Sequence, residues 1–139
     1  FHFIVADSGR IGDTRSAVES VAHLLKKTPK KIHAKIERIG ELTHLAKHAL
    51  EKAGKNLLGQ MLNEAQKELV ALGVSDEGLD RLINFAQKEG ALGAKLTGAG
   101  NGGCIIALAK NEIHSRQLAE KLKEFGAYAV WPFVLRKQD

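Results

Sequence analysis

A single cysteine, Cys104, stands in the 139-residue chain, so no internal disulfide can form and the reducing cytoplasm is the expected setting. No apolar run approaches the ~20 residues of a membrane-spanning helix. The longest, Cys104 to Ala109, is strand-sized, and no membrane partner is expected. The opening Phe-His-Phe-Ile-Val-Ala has neither a basic leader nor an initiator Met. It reads as a strand entered midway through a longer protein. No Gly-Lys-Ser or Gly-Lys-Thr occurs, which removes a Walker phosphate loop. Internal repeats, linkers and low-complexity segments are also missing. The length then suits one domain, or one half of a two-domain protein.

Apolar residues make up 44% and charged residues 27%, the balance of a soluble globular chain rather than a disordered one. A domain of this size can bury roughly two thirds of its unfolded surface, so it needs no staples. The net charge of +5 suits anionic partners such as nucleotides, carboxylate metabolites or nucleic acid. Much of it sits on Lys26, Lys27, Lys30, Lys31 and Lys35, where a solvated basic face is the simpler explanation.

Phe1 to Asp7 is short, apolar and β-rich, the pattern of a buried strand. Asp13 or Thr14 can cap a helix carrying Ala17, Val18, Val21, Leu24 and Leu25, which Thr28-Pro29 ends. A second helix, about Lys30 to Ala53, sets Ile32, Ile36, Ile39, Ala46 and Leu50 on one stripe, with Gly54 as its stop. A third, Asn56 to Leu72, offers Leu58, Met61, Leu62, Leu69 and Val70. Ser75 is read as the cap of a fourth, with Leu79, Leu82, Ile83 and Ala86 as its core face.

Strands follow at Ala91 to Leu96 and Cys104 to Ala109. Asn111 then caps a helix bearing Ile113, Leu118, Leu122 and Phe125, and the last strand is Tyr128 to Leu135. Pro132 inside that strand predicts an edge position or a bulge. With three helices set aside the order is βαββαβ. The expected fold is therefore α+β, a ferredoxin-like split βαββαβ sandwich with extra inserted helices.

The most informative segment is Lys95-Leu96-Thr97-Gly98-Ala99-Gly100-Asn101-Gly102-Gly103-Cys104. Gly98, Gly100 and Gly103 satisfy G-x-G-x-x-G formally, but a dinucleotide fingerprint must open a helix, and Cys-Ile-Ile-Ala-Leu-Ala is strand. What remains is a strand–loop–strand turn with four glycines in six residues. A plain hairpin turn needs only two residues. Repeated glycines instead allow serial positive φ and close approach of backbone N–H groups to an anion.

That segment is similar to the third signature of the GHMP kinases, in the form mevalonate kinases carry. Asn101 stands where a further glycine is common, a change that a turn tolerates because Asn visits the left-handed region. Asp7-Ser8-Gly9-Arg10-Ile11-Gly12-Asp13-Thr14-Arg15 resembles the segment opening the C-terminal domain of those enzymes. Leu72-Gly73-Val74-Ser75, Leu79-Asp80 and Ala94-Lys95-Leu96 agree in order and spacing. Asn63 and Gln66 fall where Asn and His are frequent.

The resemblance runs over the whole chain, so residues 1–139 are expected to form a GHMP kinase C-terminal domain. It implies an ATP-dependent kinase acting on the primary hydroxyl of mevalonate, in isoprenoid precursor synthesis. ATP and Mg²⁺ would be bound mainly by a missing N-terminal domain holding the Pro-x-x-x-Gly-Leu-x-Ser-Ser-Ala loop, the metal ligands and the catalytic Asp and Lys. None of those motifs occurs here, so no catalytic residue is assigned. The loop Thr97, Gly98, Ala99, Gly100, Asn101, Gly102 and Gly103 would support the nucleotide phosphates. Asp13, Thr14 and Arg15 would lie near the acceptor, and either Arg10 or Arg15 can clamp a substrate carboxylate bidentately. A homodimer is open.

Glu41, His44 and His48 share a helix face but lack a third metal-ligand spacing, so no metal site is assigned. Cys104 has no adjacent histidine or helix dipole and reads as a structural thiol. Rival functions are another GHMP kinase such as phosphomevalonate kinase, a nucleic-acid-binding ferredoxin-like domain, and a structural or dimerisation domain. RNA readers of that shape carry aromatics on central strands, and Cys104 to Ala109 has none, so no specific nucleic acid is expected.

Overall fold

The computed structural model describes residues 1–136. In chain order these form β1 (His2–Asp7), α1 (Thr14–Lys27), α2 (Pro29–Glu51), α3 (Lys55–Ala71) and α4 (Glu77–Lys88). Then come β2 (Gly93–Thr97), β3 (Cys104–Ala109), α5 (Glu112–Phe125) and β4 (Ala129–Val134). The sheet runs β2-β3-β1-β4 with every pairing antiparallel. Leaving α1–α3 aside, this is the split βαββαβ order expected from the sequence.

β1 and β3 are apolar on both sides because both faces of the sheet are covered. Ile4, Ala6, Ile105, Ala107 and Leu96 face α4 and α5, meeting Leu79, Leu82, Ile83, Leu118 and Leu122. On the opposite face Phe3 and Leu108 meet Ala49 of α2 and Leu58 of α3. Pro132 lies in β4, an outer strand paired only to β1, where a missing N–H breaks no ladder.

α3 crosses β2 so closely that a Cβ on Gly59 would strike the Leu92 carbonyl, and one on Gly93 the Gly59 carbonyl. That approach puts two α3 amides against the free edge of β2. The Asn63 Oδ1 accepts the Ala94 N–H at 3.0 Å, and the Gln66 Oε1 accepts the Leu96 N–H at 2.8 Å. Alternate outward N–H groups of an edge strand are thus satisfied by side chains three apart on a helix. Gln66 also donates to Ser75 Oγ at 3.1 Å and is buried. Its polar role lies within the fold. Gln66→Leu is expected to orphan the Leu96 N–H and cost about 1–3 kcal/mol. Chemical denaturation decides it: an unchanged midpoint would mean that β2 does not depend on this bond.

Two expectations require correction. The cap of α4 is Asp76, not Ser75: its carboxylate accepts the Leu79 N–H, while Ser75 Oγ donates to Asp80 at 2.6 Å. Val18, Ile36, Leu50, Val70, Ile113 and Phe125, read on the apolar helix stripes, are exposed. α2 buries a narrow stripe: Leu42 packs on Met61 and Ala65 of α3, Ala49 meets Phe3 and Leu108 of the sheet, and among the described residues nothing covers its outer side.

Candidate functional site

The β2–β3 loop takes its shape from serial left-handed residues: Gly98 at φ +88°, Gly100 at +92°, Asn101 at +49°, Gly102 at +97° and Gly103 at +90°. A β-carbon is tolerated in this region only at Asn101, the residue type that visits it readily. The far half of the loop is fastened by its own backbone. Asn101 N–H donates to the Val74 carbonyl at 2.8 Å, and Gly103 N–H to the Arg10 carbonyl at 2.8 Å. Gly102 N–H donates to Asp76 Oδ2 at 2.6 Å. The near half differs: the N–H groups of Gly98, Ala99 and Gly100 have no partner among the described residues. Donors for an incoming anion are therefore concentrated at Gly98–Gly100.

The two segments singled out in the sequence meet here. Asp13 N–H donates to the Asn101 carbonyl at 3.1 Å, and Ser8 N–H to the Gly103 carbonyl at 2.9 Å. Asp13 caps α1, accepting the Ser16 N–H at 3.0 Å, which places the positive end of that helix beside the loop. Thr14 opens α1 and is exposed. The two arginines part company. Arg10 is ion-paired with Asp76, whereas among the described residues Arg15 is ion-paired with Glu19 alone, one turn along α1 at 3.1 Å, with its side chain 91% exposed. Exposed pairs of that kind are worth a few tenths of a kcal/mol, so Arg15 is free to re-aim.

Read from the sequence, Asp76 is only a favourable charge at the positive end of α4, an ordinary dipole partner, and Gly78 carries no signal. Burial alone would raise the Asp76 carboxyl. The N–H groups of Leu79 and Gly102 and the Arg10 guanidinium outweigh it and hold the group below the usual carboxylate range. The stabilisation this implies is present above the unfolded pKa and is lost as pH falls through the folded one.

Lys95 points to the α2–α3 side, donating to the Leu96 carbonyl at 2.6 Å, and burial pushes its ammonium down. It borders a pocket of about 250 Å³ with Ile39, Leu42, Met61 and Gly98. A wider groove of about 730 Å³ lies between α3 and α4, lined by Asn63, Lys67, Asn84 and Gln87 and away from the glycine loop. Cys104 is half-buried, and burial together with Asp7 pushes its thiol up. His44 and His48 are exposed, and Glu41 is paired with Arg38. Among the described residues no three His, Cys, Asp or Glu side chains converge, and no helix is long and apolar enough to cross a membrane.

The family described as GHMP kinases C terminal matches residues 46–127. Mevalonate kinase of Pyrococcus abyssi is 38% identical over 128 residues, covering 88% of this chain and 38% of that protein. That of Aeropyrum pernix is 41% identical over 110 residues, covering 77% and 33%. The crystal structure of L. major mevalonate kinase with R-mevalonate superposes with a TM-score of 0.88 at 26% identity, covering 94% of this chain and 41% of that one. The chain thus spans about a third to two fifths of the length of these relatives. On the family match, and on a fold shared over nearly its whole length, this chain belongs to the GHMP kinase C-terminal family.

Proposed function

We propose that residues 1–139 are the C-terminal domain of a longer cytoplasmic kinase that transfers the γ-phosphoryl group of ATP to the primary hydroxyl of mevalonate. The observation that carries this reading is the split character of the glycine loop. One half is stitched to β1–α1 and to the α3–α4 connection, and the other presents unpartnered N–H groups. Phosphoryl transfer is largely positioning and charge stabilisation, and backbone donors held rigid from behind suit a nucleotide phosphate. Gly98 is exposed and has open space where a Cβ would stand, so no side chain of its own screens its N–H. The α1 N-terminus and Arg15 add positive potential at the same end of the sheet, where the acceptor and its carboxylate would lie.

Mg²⁺, where the reaction uses it, would be held by residues outside this chain, since no acidic cluster converges among the described ones. The likeness to mevalonate kinases at 38–41% identity favours mevalonate as acceptor. The phosphomevalonate kinase of Streptococcus pneumoniae shares the fold at only 19% identity. A nucleic-acid role is disfavoured because α2 and α3 cover part of the sheet face on which bases would stack.

Coupled ADP release by the intact protein tests the assignment, with mevalonate, phosphomevalonate and galactose compared as acceptors. Mevalonate is expected to be preferred, and equal rates with all three would sink the reading. Arg15→Met is expected to raise KM for mevalonate roughly 10- to 150-fold, the loss of one charged hydrogen bond of ~1.5–3 kcal/mol, with KM for ATP little changed. Normal mevalonate kinetics would reduce Arg15 to a solvated helix-start residue.

A further inference from the structure

We propose that Asp76 is a positioning residue for the glycine loop, fixing the open N–H groups of Gly98–Gly100 by holding Gly102 from behind. The inference rests on the nucleotide-binding reading above. Three separate segments converge on this one carboxylate. Gly102 N–H reaches Oδ2 from the glycine loop, Leu79 N–H reaches Oδ1 at 3.0 Å from the first turn of α4, and Arg10 reaches Oδ1 from the β1–α1 segment. A run of glycines at positive φ has little conformational preference of its own, so what fastens it decides where its donors point. The other far-half N–H groups end on neutral carbonyls; only Gly102 ends on a charge, and charge-assisted bonds are the strong ones.

A carboxylate behind an anion-binding loop would repel the phosphate unless it were neutralised, and Arg10 supplies that neutralisation. The pair is accommodated by its surroundings. Gly78 has no side chain, and a Cβ there would lie 2.8 Å from Arg10 Nη2. The Asp76 side chain is 18% exposed and that of Arg10 is 54% exposed, so the charge is buried on the loop side and reached from the solvent side. Arg10 therefore acts through Asp76 on the nucleotide loop, and the acceptor is left to Arg15.

The test uses the full-length enzyme and the variants Asp76→Asn, Arg10→Met and the double variant. Asn caps a helix about as well as Asp, so Asp76→Asn separates capping from the tether. Amide hydrogen exchange is expected to accelerate at Gly102 while Leu79 stays protected. KM for ATP is expected to rise about tenfold, the low end for one charged hydrogen bond, with KM for mevalonate unmoved. Arg10→Met, which leaves the cap intact, carries the same kinetic expectation even if Asp76→Asn folds poorly. Because both act through one carboxylate, the double variant should fall short of the summed effects.

Continued protection of Gly102 in Asp76→Asn, or additive effects in the double variant, would overturn the proposal. So would a rise in KM for mevalonate rather than ATP in Arg10→Met. Absence of turnover in the intact wild-type protein would remove the kinase reading instead, and exchange at Gly102 would still decide the tether.

Discussion

Valine at position 100 is expected to lower kcat/KM of the intact enzyme by at least about tenfold and to lower its melting temperature as well. Gly100 is buried at φ +92°, a region that a β-branched residue does not enter without strain. A Cβ there would collide with the Val74 carbonyl, the group that accepts the Asn101 N–H at 2.8 Å. The loop must move off the α3–α4 connection. Left-handed strain of ~1–2 kcal/mol and a lost hydrogen bond of ~0.5–1.5 kcal/mol act together.

The open donors at Gly98–Gly100 move with the loop, so catalysis and stability should fall together. From sequence alone, the absent side chain at Gly100 reads as room for an anion. The structure assigns that room to Gly98, which has nothing within 4 Å of a built Cβ. Gly98→Ala shares the left-handed strain, at φ +88°, but meets no neighbour, so it is expected to melt nearer to wild type than Gly100→Val while weakening ATP binding. Steady-state kinetics beside a thermal melt separate the two positions. An unshifted melt in Gly100→Val would refute the packing explanation.

Residues 1–139 produced alone are expected to fold and yet to show no mevalonate-dependent ATP consumption. Both sheet faces carry apolar clusters, so folding has a core to draw on. Turnover is a different matter. The glycine loop offers backbone donors, the carboxylate nearest to it is engaged by Arg10, and Lys95 donates to the Leu96 carbonyl. No acidic cluster converges among the described residues to hold a metal ion. Those absent groups supply most of the rate in phosphoryl transfer. Nucleotide affinity should also be weak, with Kd above ~1 mM, because one wall of a cleft offsets little of the entropy of binding. A coupled ADP-release assay and an NMR titration with ATP examine the two statements. Robust turnover by this chain would mean that the catalytic groups lie within it.

Periodicity carried most of the secondary structure. β3 falls on Cys104–Ala109 as read, and Asn111 caps α5, accepting the His114 N–H. Local chemistry is enough in such places, since an Asn ahead of an apolar repeat and an unbroken apolar run have few alternatives. Caps were harder where two candidates stood side by side. Ser75 and Asp76 are both good caps, and the choice fell to Asp76 because Ser75 is taken by Gln66 and Asp80. The exposed Ile36 and Val70 mark the other limit, for periodicity locates a stripe but not what lies opposite it.

By itself the sequence determined the strand–helix order, an edge position or a bulge for the proline-bearing last strand, and a loop whose glycines allow serial positive φ. Each of these follows from apolar periodicity or backbone sterics within a short stretch of chain. Tertiary structure alone decided which loop N–H groups stay open, that Arg10 turns to Asp76 while Arg15 stays exposed, and that Asn63 and Gln66 close the edge of β2. Those outcomes depend on groups as far apart in the chain as Arg10 and Gly103 competing for the same donor or acceptor. Such a competition is settled by which elements the fold brings within hydrogen-bond reach, a distance that no local pattern encodes.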